Sequence, residues 1–388
     1  MKQFLLGPKL YYGTDSLDYV RKIEADKIFI VTDEMMVKIG IVEKITKMLS
    51  EEKKSYAIFS EVEPDPSLET VEKGLTLLVK EQPSCIIAVG GGSPIDAAKA
   101  MLLLAIRVQE RISGETCRGK PQFIAIPTTS GTGSEVTSYA VVTDKSNCTK
   151  IPLSDPLMYP DIAILDEGLT KTVPPSVSAD TGMDVLTHAI EAYVSKQATD
   201  ITDMYAEKAI KDVFKNLLKV YRFGEDLEAR GKLHVASCIA GISFTNAALG
   251  INHSLAHTLG GRFHMPHGRS NAILLPYVIA YNAGLFDGSV ETSKAAKKYA
   301  SISFMLGFPC GSTEEGVKSL ITHIVELNKK MGIPLHLQEC NIDEGEFEKA
   351  LSDMACSALH DICTTGNPKD VTEEDLKQLL KVVYKGTS

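Results

Sequence analysis

Residues 85–100 read CIIAVGGGSPIDAAKA. An apolar, β-rich run enters three consecutive glycines, and a helical period leaves them. Glycines at that point let the backbone adopt positive φ or approach a ligand closely. A strand feeding directly into a helix is the unit from which parallel sheets are built. Ser93 reads as the helix N-cap, Pro94 as its first residue, and Asp96 completes a capping-box spacing. The free N–H groups and the positive end of such a helix favour an anion, a pyrophosphate above all. The bland alternative is a turn that needs glycines only for packing. The turn is neither GxGxxG nor a Walker loop, so a standard Rossmann fingerprint and an NTPase are unsupported.

The flanking sequence repeats the pattern. KIFIVTD (27–33), YAIFSEV (56–62) and FIAIPTT (123–129) read as strands, with VTSYAVVTD and AILDEGL as two shorter ones. Between them, MMVKIGIVEKITKMLSEEKK and LETVEKGLTLLVKEQ carry apolar residues at helical spacing. Asp33 ends the first strand, where a carboxylate can meet ribose hydroxyls and repel a 2′-phosphate; it can equally be a helix N-cap. The turn Pro127–Glu135, dense in hydroxyls and glycines, can bond a cofactor or cap helices. From about Pro175 the strands stop, and long helical patterns such as MDVLTHAIEAYVS and GKLHVASCIAGISFTNA follow. The expected domains are an α/β half over 1–177 and an all-helical half over 178–388, two domains being ordinary for 388 residues.

Composition excludes more than it selects. Lys and Arg total 41 against 50 Asp and Glu, a formal net charge of -9, so a phosphate-coating surface and nucleic-acid partners are disfavoured. The start, MKQFLLGPKLYYG, is interrupted too early for a signal peptide, and no apolar run reaches the roughly 20 residues of a membrane span. Eight cysteines (Cys85, Cys117, Cys148, Cys238, Cys310, Cys340, Cys356, Cys363) form no CxxC pair. They read as reduced thiols of a cytoplasmic chain.

Histidines are the exception to this plainness. Only nine occur, and four of them (His253, His257, His264, His267) crowd into 253–267. Asp184 and His188 stand four apart in a helical pattern, as do His253 and His257, so each pair shares a helix face. Imidazoles with one carboxylate and no thiolate suit Fe(II), Zn(II), Mn(II), Co(II) or Ni(II). A metal beside a dinucleotide implies Lewis-acid activation of an oxygen with hydride transfer at the carbon. His234, His323, His336 and His360 stand apart and read as structural.

Taken together, GGGSPIDAAKA (90–100), AIPTTSGTGSEVTSYAVVTD (125–144), ADTGMDVLTHAIEAYVS (179–195) and GINHSLAHTLGGRFHMPHGRSNAILLPYVIAYN (250–282) resemble the iron-dependent (group III) alcohol dehydrogenases. FHMPHG, ILDEGLT and NPKD look most like the 1-propanol dehydrogenases of propanediol-degrading microcompartments. The resemblance implies an α/β plus all-α chain of dehydroquinate-synthase-like fold: an N-terminal Rossmann-like parallel-sheet domain and a C-terminal helical domain, with the metal in the cleft between. It implies metal ligands at Asp184, His188, His253 and His267, a proton-handling role for His257, and none for His264. Cofactor contacts would fall on Asp33, Gly91, Gly92, Ser93, Asp96, Thr128, Thr129, Thr132 and Lys150, with Phe244 and Tyr139 lining a substrate pocket. The expected cofactors are NAD(H) and Fe(2+), with Zn(2+) as the alternative ion. The expected reaction interconverts short primary alcohols and aldehydes, propanal and 1-propanol first. Its rivals are a metal-dependent polyol dehydrogenase of the glycerol or diol type and a lyase similar to dehydroquinate synthase. The expected setting is cytoplasmic, inside a bacterial microcompartment, with no nucleic-acid or membrane partner. There the chain would be a homodimer or larger homo-oligomer among shell or lumen proteins.

Overall fold

The computed structural model describes residues 3–114, 119–146 and 149–386. The chain divides into two units, Met1–Val173 and Pro174–Ser388. Cys117 and Cys148 lie outside the described residues; the other six cysteines are free thiols, as the scattered spacing predicts.

The first unit runs β1 (Lys9–Tyr12), β2 (Lys27–Val31), α1 (Glu34–Lys38), α2 (Ile41–Glu51), β3 (Ser55–Phe59), α3 (Leu68–Glu81), β4 (Cys85–Gly90), α4 (Gly92–Ser113), β5 (Gln122–Pro127), β6 (Tyr139–Asp144), β7 (Thr149–Ser154) and β8 (Ile162–Leu165). Six strands form one sheet in the order β1-β8-β5-β4-β2-β3, and every pairing is parallel. β4 is buried along its whole length, as a central strand covered on both faces must be. The period of two sends Phe29, Val31, Ile86, Ala88 and Phe123 into one core. Their neighbours Ile28, Ile30, Cys85, Ile87 and Ile124 enter the other. β6 and β7 form a separate antiparallel ribbon.

Three details depart from the sequence reading. β1 and β7 were not expected. The long helical pattern after β2 is broken in two by Gly40, which sits at φ 80 between α1 and α2. Ser93 does not cap α4: Gly91 stands at the N-cap, and the helix is already under way at Gly92. Gly92 can start the helix early because it has no Cβ, and Asp96 is drawn away from the cap by other partners described below.

The second unit is helical: α5 (Pro175–Val194), α6 (Asp200–Arg222), α7 (Leu227–Ala247), α8 (Ile251–Phe263), α9 (His267–Ala283), α10 (Lys294–Leu306), α11 (Thr313–Lys330), α12 (Glu344–His360) and α13 (Glu373–Lys385). α5 is its axis. Every residue from Gly182 to Val194 is buried, which is what a helix apolar on all sides requires, and α6, α7 and α9 pack around it. Two glycines let α6 and α9 come close to α5. A Cβ on Gly182 would lie 2.2 Å from Leu217 Cδ1 of α6, and one on Gly268 of α9 would lie 2.2 Å from the Asp180 carbonyl oxygen of α5. α8 ends at His264, which takes the left-handed conformation at φ 54, and the chain turns through Pro266 into α9. Among the described residues no single helix is long and apolar enough to cross a membrane.

Candidate active site

β2, β4 and β5 are neighbours and run in the same direction, so Asp33, the glycine turn and the Pro127–Gly133 turn all leave the sheet at its carboxyl edge. Parallel α/β sheets bind ligands in the crevice at that edge. The three glycines face three different neighbours. A Cβ on Gly90 would come within 2.6 Å of Pro94 Cγ and 3.2 Å of Asp33 Oδ2, one on Gly91 within 3.3 Å of Thr129 Oγ1, and one on Gly92 within 2.8 Å of Thr132 Cγ2. The turn is therefore a cradle whose floor is backbone and whose walls are Asp33, Thr129 and Thr132. Thr128 adds a buried hydroxyl with no hydrogen-bond partner among the described residues. This edge fits a dinucleotide diphosphate.

Asp33 caps α1, its Oδ1 accepting from Met36 N at 2.9 Å, while Oδ2 lies toward Gly90. Asp96 faces the 134–141 segment. Its oxygens accept from Ser134 Oγ (2.6 Å) and Val141 N (3.0 Å). Beside it, Lys99 is fully buried and donates to Ser134 O, Ser134 Oγ, Thr137 Oγ1 and Tyr139 O at 2.7–2.9 Å. Together these residues brace the hydroxyl-rich turn against α4. Ser93 accepts from Asp65 N (3.3 Å), and the Asp65 carboxylate pairs with Lys150 Nζ at 2.7 Å. Asp65, at φ 55, was missed in the sequence, as was Lys99. Asp65 belongs to no motif and Lys99 lies inside GGGSPIDAAKA without a role assigned to it; both are recognised by what they touch.

The second unit collects the predicted ligands. Asp184 and His188 come from α5, His253 from α8 and His267 from the first turn of α9. Single ligand atoms of Asp184, His188 and His253 lie within 4.8 Å of one another. Asp184 Oδ1 is 3.7 Å from His253 Nε2 and 3.5 Å from His267 Nε2. Metal bonds of about 2.0–2.2 Å would set such atoms about 3–3.6 Å apart, so a small contraction of these side chains would bring them onto one ion. The His188 ring stacks on His253 (centroids 4.4 Å apart) and on Phe244 of α7 (4.6 Å). Phe244 thus lies where a pocket lining is expected, whereas Tyr139 is 39% exposed at the start of β6.

The electrostatics suit a cation. Burial alone would raise the Asp184 carboxyl, but His188, His267 and His253 together hold it well below the usual carboxylate range. Burial pushes His267 down to about 3, the neighbouring imidazoles adding to the effect. Burial also opposes protonation of His253, yet its bonds to Asp184 and Glu191 outweigh that and carry it up to about 9. An ion would replace that proton.

Three further residues close around the ligands. Glu191 Oε2 meets His253 Nδ1 at 2.5 Å. Asn271 Nδ2 donates to Asp184 Oδ1 at 2.6 Å and lies 3.2 Å from both His253 Nε2 and His267 Nε2. Its amide is oriented by Asn252 Nδ2, which donates to Asn271 Oδ1 at 2.9 Å. Asp361 Oδ2 meets His257 Nδ1 at 2.8 Å. Burial would raise Asp361, but the imidazole and the Cys363 N–H bring it down to about 2. Glu191 could have been found as the second carboxylate, after Asp184, in the buried run of α5, and Asn271 by its i+4 spacing from His267. Asp361 carries no local signal. His257 stands beside the ligands, its ring stacked on His267 at 5.4 Å. His264 is exposed. His323 and His360 bond carbonyls of their own helices, and His336 faces Glu339.

The chain is similar to known proteins. The family description "Iron-containing alcohol dehydrogenase" matches residues 8–167, and "Fe-containing alcohol dehydrogenase family, C-terminal" matches 178–384. The chain is 42% identical to an NADPH-dependent butanol dehydrogenase of Clostridium saccharobutylicum, covering 100% of this chain and 99% of the relative. It is 40% identical to a 1-propanol dehydrogenase PduQ of Citrobacter freundii, covering 98% and 99%. An aldehyde-alcohol dehydrogenase of Streptococcus pneumoniae is 42% identical over 100% of this chain, which spans 46%, about half, of that longer protein. Among solved structures, a 1,3-propanediol oxidoreductase superposes with a TM-score of 0.89 at 34% identity, covering 99% of this chain and 100% of that one.

Proposed function

Because the chain belongs to the iron-containing alcohol dehydrogenase family, we propose that it interconverts short primary alcohols and aldehydes with NAD(H), reducing propanal to 1-propanol. The observation that carries the reading is the convergence of the buried Asp184, His188 and His253 beside Phe244, with the half-buried His267 placing Nε2 3.5 Å from Asp184 Oδ1. A nicotinamide dinucleotide supplies the hydride and a divalent iron the Lewis acid that polarises the substrate oxygen. The remaining work falls to the side chains. The glycine cradle, Thr129, Thr132 and the buried Thr128 hydroxyl hold the diphosphate. Lys99 and Asp96 keep the turn that carries these threonines in register with α4. His257, bonded to Asp361 through Nδ1, has Nε2 for the proton that the new alcohol takes up. Phe244 presents an apolar wall to an alkyl chain.

Asp33 supports NAD(H) as the cofactor, since its carboxylate against Gly90 would repel a 2′-phosphate. The NADPH-dependent butanol dehydrogenase among the relatives makes this an assignment for the present chain and not a family constant. Phe244, stacked on His188, supports short apolar aldehydes over hydroxylated ones, with Tyr139 kept as a second proposed lining residue. The reading extends to a cytoplasmic homo-oligomer working among microcompartment proteins, which sedimentation and co-fractionation check. The decisive measurement uses anaerobically purified, iron-loaded protein, following NADH and NADPH oxidation across propanal, butanal, lactaldehyde and 3-hydroxypropanal. Propanal with NADH should give the highest kcat/KM. Equal values for propanal and lactaldehyde would remove the substrate assignment, and NADPH preference would remove the cofactor one.

A further inference from the structure

α8 carries two histidines one turn apart, and each is backed by its own carboxylate. His253 Nδ1 meets Glu191 Oε2 of α5 at 2.5 Å; the other oxygen, Oε1, accepts from Asn252 N at 2.8 Å. His257 Nδ1 meets Asp361 Oδ2 at 2.8 Å; the other oxygen, Oδ1, accepts from Cys363 N at 2.8 Å. In both pairs one oxygen holds the imidazole and a backbone N–H pins the second, so the carboxylate cannot swing. Both rings are thereby set with the proton on Nδ1 and the Nε2 lone pair free. The pairs differ in their access to water. His253 and Glu191 side chains are 2% and 5% exposed, His257 and Asp361 28% and 20%.

We propose that Glu191 and Asp361 are positioning residues with separate duties: Glu191, through His253, fixes how tightly the metal is held, and Asp361, through His257, fixes how fast the bound substrate exchanges its proton. A dry imidazole with a fixed lone pair is a permanent ligand. A half-open one with the same fixation can take a proton from solvent on its Nε2 lone pair and hand it to the substrate oxygen. Outer carboxylates on ligand imidazoles commonly contribute 10–100-fold in metal affinity. Glu191 must accept from two N–H groups at once. A carboxamide has one oxygen for them and turns an NH2 toward the other. The site has room for this carboxylate only because residue 250 is glycine: a Cβ there would stand 2.8 Å from Glu191 Oε1 and 2.9 Å from Asn367 Oδ1. The Asp361 half rests on the dehydrogenase reading; the Glu191 half needs only the metal site.

The test compares Glu191→Gln, Gly250→Ala and Asp361→Asn in the full-length, iron-loaded protein. Iron content, the half-life of iron loss to excess EDTA, and kcat and KM per bound iron are measured. Glu191→Gln should shorten the half-life by about 10-fold or more, with kcat per bound iron within about twofold of the parent. Gly250→Ala, which displaces the same carboxylate without removing its charge, should shorten it in the same direction. Asp361→Asn should keep iron content and half-life, and lower kcat by about 10-fold or more with KM little changed. An unchanged half-life in both Glu191→Gln and Gly250→Ala overturns the first duty. Iron loss in Asp361→Asn equal to that in Glu191→Gln overturns the separation. Should the parent reduce no aldehyde, the function fails while the iron half-lives still decide the role of Glu191.

Discussion

Asp33 answers to two neighbours, capping α1 through one oxygen and walling the glycine cradle with the other. Asp33→Gly separates these roles. Glycine is itself a tolerated N-cap, so stability should fall by only a few tenths of a kcal/mol, while the barrier to a 2′-phosphate disappears. The NADH-to-NADPH ratio of kcat/KM should drop several-fold with an almost unmoved Tm; an unchanged ratio removes Asp33 from cofactor choice. Residues of this kind mark what was legible beforehand. The Asp184/His188 and His253/His257 spacings are local, and a helix period suffices to put each pair on one face. Setting His264 aside needed the resemblance, and its exposure at the αL end of α8 gives the physical reason. Glu191 and Asp361 reach their histidines across 62 and 104 residues, a separation that no local pattern encodes.

At the scale of elements, the strand–glycine–helix succession was readable because a fully buried strand and a long helix both leave strong periodic signals. β1 and β7 were not. β1 is short and mostly exposed, and β7 has no buried residue and includes Pro152, so neither has the apolar alternation that marks a strand. The change near Pro175 from strands to helices was clear, since periodicity survives even where boundaries blur. What no period shows is how closely two helices approach. α9 meets α5 at Gly268, one residue after the ligand His267 and opposite Asp180, one turn before the ligand Asp184. The obstacle to a methyl group there is backbone, which cannot rotate away. Gly268→Ala should therefore push the start of α9 outward, costing about 1–3 kcal/mol and lowering iron content together with activity. A variant with full iron and parental Tm would show that the α5–α9 approach does not set the ligand geometry.

Taken whole, the molecule divides its chemistry as it divides its fold. All cradle residues belong to Met1–Val173 and all proposed ligands to Pro174–Ser388. An ion held at about 1,000 times its Kd stabilises what binds it by about 4 kcal/mol, and that stabilisation should appear in one unit alone. Hydrogen exchange after chelation should quicken in α5, α8 and α9 and leave β4, α4 and β5 unchanged; equal quickening in both units would contradict the assignment. The placement of the two backing carboxylates also orders events in time. Glu191 lies among the ligands in sequence, so everything that grips the ion has been synthesised once residue 267 has emerged. Asp361 follows His257 by 104 residues, about 5–20 s later at a ribosome's pace of about 5–20 residues per second. The proposed ligands are therefore all made before the carboxylate that holds His257, so an ion could be captured by a nascent chain whose proposed proton-handling imidazole is not yet fixed.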